Sequence, residues 1–180
     1  MRKVLVVGSV LAATAALALG GSPAQATSVT FTLSGGSLSV SQPSSTATLT
    51  GGALASLAGT ALTGSLGSTT VTDTRGGVTG WTSTIAQTTA FTNGTTTIPA
   101  GNTKAWVLAA IVPTGVAVVT SGTYLTQLTG LALTSSAQSF VTATAVVGNN
   151  AATFNPSIAV TIPDDATAGA YTGALTQTVS

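Results

Sequence analysis

The stretch STTVTDTRGGVTGWTSTIAQT, residues 68–88, contains two segments in which threonine or serine alternates with other residues, one on each side of a glycine pair. Alternation with a period of two predicts β-strands, because successive side chains of a strand point to opposite faces of the sheet. Gly76-Gly77 accepts positive φ and therefore predicts a tight reversal between the two strands. Asp73, Arg75 and Trp81 lie close to this reversal.

Asp73 and Arg75 are two residues apart, so they share one face of the first strand together with Val71. Opposite charges at this spacing predict a structural ion pair. An exposed pair would contribute about 0–1 kcal/mol. A partly buried pair would fix how the strand ends at the glycines, and the loss of one partner would cost more.

Trp81 shares a face of the second strand with Ser83 and Ile85, which favours a tryptophan packed in the core. The alternative is an exposed ring that stacks on a sugar or on a partner protein. Trp106 lies in the most apolar of the predicted strands, KAWVLAAIV (104–112), and is predicted to be a core residue of a central strand.

Short segments rich in threonine and valine recur along the rest of the chain, separated by turn residues. They are VTFTL (29–33), SLSVS (37–41), TATLT (46–50), GVAVVTSG (115–122), TYLTQLTGLALTS (123–135), SFVTATAVV (139–147), SIAVTI (157–162) and AYTGALTQTV (170–179). Helical periodicity is found only at the N-terminus and near residues 53–62. We therefore predict an all-β fold, a single antiparallel β-sandwich of the Ig-like or Greek-key type with about seven to ten strands.

The N-terminus has the three parts of a secretory signal: a basic Met1-Arg2-Lys3, an apolar run over residues 4–19, and small residues in Ala24-Gln25-Ala26. The apolar run is shorter than the roughly 20 residues of a membrane span. We expect a signal helix cleaved after Ala26, which leaves one domain over residues 27–180 in the extracellular space. A retained membrane anchor is the alternative.

Charge is nearly absent from the predicted mature chain. Its basic residues are Arg75 and Lys104 and its acidic residues are Asp73, Asp164 and Asp165, so its net charge is 2 − 3 = −1. Such a surface excludes the basic patch that nucleic acid requires. We expect no nucleic-acid partner and no membrane contact after signal cleavage, while a weakly charged surface favours self-association.

The chain contains no His, no Cys and no Glu. This composition excludes Ser-His-Asp triads, cysteine nucleophiles and thiolate or imidazole metal sites. We predict a non-enzymatic protein with no catalytic, cofactor or metal site. Asp164-Asp165 is expected to be a solvated turn, with a weak calcium site as the alternative. Asn93-Gly94-Thr95 matches a glycosylation triplet.

Three segments resemble the WxL-type surface domain of Gram-positive bacteria and related secreted actinobacterial proteins. They are VTDTRGGVTGWTST, FTNGTTTIPAGN and FNPSIAVTIPDDATAGAYTGALTQTVS, so that the resemblance covers roughly residues 66–180. It implies a secreted, β-rich domain that associates non-covalently with the cell wall through peptidoglycan.

The chain departs from this family pattern at two positions. Ser83 stands where the W-x-L motif has Leu, and Gln177 stands where the pattern has its second tryptophan. Gln177 shares a face of the last strand with Tyr171, Leu175 and Val179. If that face is core, Gln177 needs hydrogen-bond partners or a position at an edge.

Two functions from different classes follow. The first is a secreted structural or cell-surface-associated protein, held by the cell wall or by self-association. The second is a module that binds peptidoglycan or another cell-wall glycan through Trp81, Tyr124 or Tyr171, because aromatic rings on an uncharged polar surface suit sugar rings.

Overall fold

The structure is a computed structural model that describes residues 7–10, 28–42, 47–49 and 59–180. The chain divides into two compact units, Met1–Gly35 and Gly36–Ser180. Across the described ranges, no helix has the length and apolar character needed to cross a membrane.

The first unit contains one antiparallel strand pair, β1 (Val7–Val10) with β2 (Ser28–Phe31). Val7–Val10 is thus a strand, whereas the sequence predicted a signal helix there. A short apolar run does not distinguish helix from strand by its periodicity, and here pairing with β2 decides the outcome. The rest of the predicted signal, including the cleavage site after Ala26, lies outside the described residues.

The second unit is built almost entirely from antiparallel strands. In chain order these are β3 (Leu38–Ser41), β4 (Ala61–Ser65), β5 (Thr69–Asp73), β6 (Trp81–Thr92), β7 (Thr97–Ile98), β8 (Thr103–Val107), β9 (Val112–Thr120), β10 (Leu131–Ala132), β11 (Gln138–Phe154), β12 (Pro156–Thr161) and β13 (Thr172–Val179). A short 3-10 turn, Ala100–Asn102, precedes β8. The predicted all-β antiparallel sandwich is confirmed, with eleven strands in the described part of this unit.

Two sheets contribute to one apolar core. A four-stranded sheet has the order β10-β8-β12-β4, and a seven-stranded sheet has the order β13-β6-β11-β5-β3, with β7 added to β6 and β9 added to β11. Fully buried side chains of the larger sheet, such as Ile85, Phe140 and Phe154, belong to one cluster with Val107 and Ile158 of the smaller sheet. The alternation that predicted the strands therefore also divides core residues from surface residues.

The 17-residue strand β11 carries the larger sheet around a bend. Its first part pairs with β6 and its last part with β5, while β9 pairs with both parts along the opposite edge. In a flat sheet, Thr69 and Gln177 would lie about 50 Å apart at roughly 3.3 Å per residue. The Thr69 hydroxyl instead donates to Gln177 Oε1 over 3.1 Å. The sheet therefore folds back on itself, and the positive φ values of Ala145 (50°) and Gly148 (70°) fall between its two halves.

Two segments predicted as continuous strands are wrong in part. In KAWVLAAIV, β8 is the expected central strand, but it ends at Val107 and the chain leaves the sheet until Val112. Leu108 is exposed, and its N–H donates to the Asn155 carbonyl over 3.0 Å. Residues 123–135 form only β10. Thr126 and Thr129 bond to each other and to nearby backbone there, which competes with strand pairing.

The remaining expectations fall partly outside the described residues. The helical periodicity near residues 53–62 ends in β4, which includes residues 61 and 62, and residues 53–58 are outside the described ranges. Of TATLT, only residues 47–49 are described, and they are not in a strand. VTFTL is a strand only up to Phe31.

Candidate functional site

The predicted ion pair lies where the larger sheet bends, directly after β5. Arg75 Nε donates to Asp73 Oδ1 and Arg75 Nη2 donates to Asp73 Oδ2, each over 3.0 Å. The Arg75 backbone N–H donates a third bond to Asp73 Oδ1 over 3.0 Å. The Asp73 side chain is 2% exposed and that of Arg75 is 32% exposed. The ion pair is therefore bidentate, and its carboxylate is buried. Of the two possibilities that the sequence left open, an exposed pair and a partly buried pair, the structure contains the partly buried one.

Two further side chains complete a hydrogen-bonded network around this pair. Trp81 Nε1 donates to Asn150 Oδ1 over 2.9 Å, and Asn150 Nδ2 reaches Asp73 Oδ2 over 3.5 Å. Arg75 Nη2 also donates to the Gly80 carbonyl over 3.1 Å. We call Asp73, Arg75, Trp81 and Asn150 the corner cluster. It joins the end of β5, the start of β6 and the bend of β11.

Hydrogen bonding keeps both charges of the corner cluster in place. The bond from Arg75 lowers the pKa of Asp73 below its ordinary value of 3.8, and this outweighs the opposing effect of burial. The bond to Asp73 likewise raises the pKa of the Arg75 guanidinium. A carboxylate held ionised in this way is a poor proton donor, so the cluster suits fixing the backbone better than acid-base catalysis.

Glycines allow the loop between β5 and β6 to lie against β11. Gly77 has a φ of 81°, and its carbonyl accepts a 2.7 Å bond from the Gly148 N–H. A Cβ atom at Gly80 would clash with the carbonyl oxygen of Ala143. Gly76 and Gly77 both have the expected positive φ, but the tight reversal predicted between the two strands is wrong. β5 and β6 pair antiparallel with successive parts of β11, so the chain keeps its direction and the loop follows the bend.

The aromatic residues proposed as a sugar-binding platform do not assemble into one. Trp81 is 2% exposed and lies in the core, as does Trp106 at 6%. Tyr124 is half-buried and stacks on Phe140, with 6.2 Å between ring centroids. Tyr171 is half-buried, and its hydroxyl donates to the Thr167 carbonyl over 2.9 Å. Each ring therefore serves a different part of the fold, and Trp81 has no open face for a ligand.

Both departures from the WxL pattern lie on the core side of the sheet. Gln177 is 9% exposed, and its Oε1 accepts bonds from Gln42 Nε2 and from the Thr69 hydroxyl. Ser83 is fully buried, and its hydroxyl has no partner within the described part of the chain. Gln177 Nε2 and both side-chain polar atoms of Gln87 are likewise buried without a hydrogen-bond partner among the described residues. The side-chain oxygen of Gln177 thus has the partners that a core position requires, whereas its amide nitrogen has none among the described residues.

The remaining sequence candidates are turn residues. Asp164 and Asp165 are both exposed between β12 and β13. Asn93 Oδ1 accepts bonds from the backbone N–H groups of Thr95 and Thr96, and its amide donates to Thr167. No group of three or more His, Cys, Asp or Glu side chains occurs among the described residues.

A group of exposed valines on β9 and β11 forms an apolar surface that the sequence patterns did not single out. Val112, Val116 and Val118 of β9 and Val147 of β11 are each 58–61% exposed. We call these four valines the edge patch. A cavity of about 390 Å³ opens beside β9, and its lining includes Val119, Thr120 and the exposed Leu108 and Leu125. The signal in the sequence was the valine-rich segment GVAVVTSG (115–122), which predicted a strand but not that this strand is an edge.

The sequence analysis also missed Asn150, the fourth residue of the corner cluster. Its partner Asp73 is 77 positions away, and no local pattern connects them. Comparisons with protein-family models, with curated proteins and with solved structures gave no match for this chain. The resemblance to WxL-type domains therefore stays a prediction.

Proposed function

We propose that this chain is a secreted, non-enzymatic structural protein retained at the cell surface. The observation that carries the proposal is the corner cluster. Asp73 and Arg75 bind each other, and Arg75 also binds the Gly80 carbonyl at the bend of the sheet. The residues best suited to chemistry thus act as parts of the scaffold.

The outward face of the larger sheet supports a neutral partner. Threonine hydroxyls pair across neighbouring strands there, Thr84 with Thr178 over 2.7 Å and Thr88 with Thr176 over 3.1 Å. Such pairs stabilise a sheet and leave a surface of hydroxyl and methyl groups without charge. This surface fits a cell-wall glycan better than an ionic ligand, in agreement with what the WxL resemblance implies.

The burial of Trp81 argues against the alternative module that would stack this ring on a sugar. In the proposed role, Trp81 contributes through stability alone. A variant that keeps the core filled should therefore keep any association with the wall.

The test is fractionation of a Gram-positive host that expresses the full-length chain, combined with cosedimentation of the purified protein with peptidoglycan. We expect N-terminal sequencing of the exported protein to begin at Thr27. We expect the protein in the wall fraction, and retention that persists in 1 M NaCl, because a nearly uncharged surface offers little for salt to screen. Trp81→Phe is expected to bind equally well.

Recovery of the folded protein only from the culture medium, with no cosedimentation, would overturn the proposal. Loss of binding in a Trp81→Phe variant that remains folded by circular dichroism would favour the aromatic binding module instead.

A further inference from the structure

Strand β9 forms an open edge of the larger sheet. Within the described residues it pairs only with β11, so the backbone groups on its other side have no strand partner. Val116 and Val118 point outward from it and are 58% and 60% exposed. Val147 of β11 pairs with Val116 and extends the same apolar surface.

The two halves of β9 differ in how well they are protected against pairing. Natural edge strands avoid association through charge, proline or a bulge. Pro113, and Gly115 with its φ of 78°, interrupt the first half. Residues 116–120 contain no proline, and the bulge at this point lies opposite them in β11, between Thr144 and Val147. No charged residue occurs anywhere in β9 or β11. The second half is therefore an uncharged edge of five residues without proline or glycine.

The cavity beside this edge gives the inward-facing side chains of an added strand somewhere to pack. It is lined by Val119 and Thr120 of β9 and by the exposed Leu108 and Leu125. A strand that continued the sheet would place alternate side chains over this apolar lining and the others over the edge patch.

We propose that a second copy of this chain pairs with β9 in antiparallel fashion, across a twofold axis at Val118. The pairing rests on the structural role proposed above and identifies the partner in that role as a second copy of the chain. An antiparallel strand is complementary to itself, so an identical copy always presents the matching edge. The absence of charge on both edges removes the repulsion that would keep two copies apart.

The register follows from the sidedness of the strand. Outward residues must face outward residues, since a shift of one residue would reverse the faces. An axis at Val118 pairs residues 116–120 only with each other and leaves out Pro113 and Gly115. It sets Val118 opposite its own copy and Val116 opposite Thr120 of the second copy.

A single cysteine tests this register, because the chain contains none of its own. Directly opposed residues of an antiparallel pair have Cα atoms about 4.5–5.5 Å apart, which is within the range of a disulfide. Val118→Cys is expected to give a covalent dimer rapidly under mild oxidation. Val78→Cys is the matched control, because Val78 is 75% exposed in the loop after β5 and lies outside the proposed interface.

Sedimentation equilibrium of the wild type and of Val118→Lys tests the association itself. The substitution sets two ammonium groups against each other at the axis, and we expect the dimer to dissociate at least tenfold more readily, on the order of 1.4 kcal/mol. The thermal unfolding midpoint, measured at a concentration where the wild type is monomeric, should not change. Val78→Lys is expected to leave the dimer intact.

A wild type that remains monomeric at millimolar concentration would overturn the pairing. So would Val118→Cys oxidising no faster than Val78→Cys, or a dimer that Val118→Lys does not weaken. The proposed function fails separately, because a monomeric protein that still cosediments with peptidoglycan refutes only the pairing. A dimer that the wall does not retain refutes only the surface role.

Discussion

The corner cluster and the edge patch both include a residue of β11, but the corner cluster is buried and the edge patch is exposed. Regular pairing of β11 is interrupted at both places. At the corner, Asp73 and Asn150 are nearly inaccessible and bonded to their neighbours. At the edge, valines are more than half exposed, and in the part of the chain that the structure describes β9 pairs with β11 alone. In a chain with few charges, the Asp73–Arg75 pair thus fixes the bend of the sheet, whereas β9 carries no charge that would oppose pairing with another strand.

The largest difference between the two regions should appear when Trp81 is truncated. Trp81→Ala removes a buried ring and leaves Asn150 Oδ1 without its donor, so we expect a loss of about 3–5 kcal/mol in the free energy of unfolding. Urea denaturation measures it. Trp81→Phe, which fills most of the volume, should lose clearly less. A loss under about 1 kcal/mol for the alanine variant would mean that the ring does not hold the corner.

Removal of the buried carboxylate should have the next largest effect. Asp73→Ala leaves Arg75 half-buried without its partner, and we expect a loss of about 2–4 kcal/mol. Because the two residues act together, the double variant with Arg75→Ala should cost less than the sum of the single variants. Asp164→Ala, at an exposed turn, is the control and should change the free energy of unfolding by less than about 0.5 kcal/mol. Additive single and double variants would show that the pair is not coupled.

Lowering the pH should reduce the contribution of the corner cluster to the free energy of unfolding before it has any effect at the edge patch. The folded state holds the pKa of Asp73 below the ordinary value of 3.8, so its contribution to stability is complete above that value. It is lost as the pH falls below that value, because the unfolded chain then binds the proton more tightly. Thermal unfolding midpoints should be flat between pH 5 and 8, where the absence of His leaves no side chain of ordinary pKa to titrate. Asp73→Asn should flatten the decline in acid, and an unchanged decline would assign it to other groups.

The smallest effect is expected at the edge itself. Val116→Thr replaces an exposed valine by a residue that also favours strands, and the free energy of unfolding should change by less than about 0.5 kcal/mol. The matched substitution Val71→Thr, at a fully buried position of β5, should cost more than about 1 kcal/mol because a hydroxyl enters the core. Equal losses at the two sites would show that the edge patch is covered in solution.

The sequence predicted best where the structure is decided locally. The strands on either side of Gly76-Gly77, the Asp73–Arg75 pair and the inward face of Trp81 all follow from alternation over a few residues. It predicted less well where distant segments decide. The run KAWVLAAIV is apolar at every position after Lys104, so nothing in it marks Val107 as the point where the chain leaves the sheet.

The sequence did not identify Asn150 and Gln177 either, because their partners are also distant in the sequence. Asn150 and Gln177 are ordinary polar residues until the bend of β11 brings Asp73 and Thr69 to them. The open edge at β9 is likewise a property of the sheet order, which period-two alternation does not encode.

The fold-back of the larger sheet has a consequence for synthesis. The contact that closes it joins Thr69 to Gln177 across 108 positions of sequence. Strand β13 must therefore be made before the first half of the sheet can be completed, and a ribosome-bound chain that ends before β13 lacks the segment that closes the sheet. Pairings over such distances are slow to form. Folding of the larger sheet is thus completed only after β13 has been synthesised, however early β5 and β6 are made.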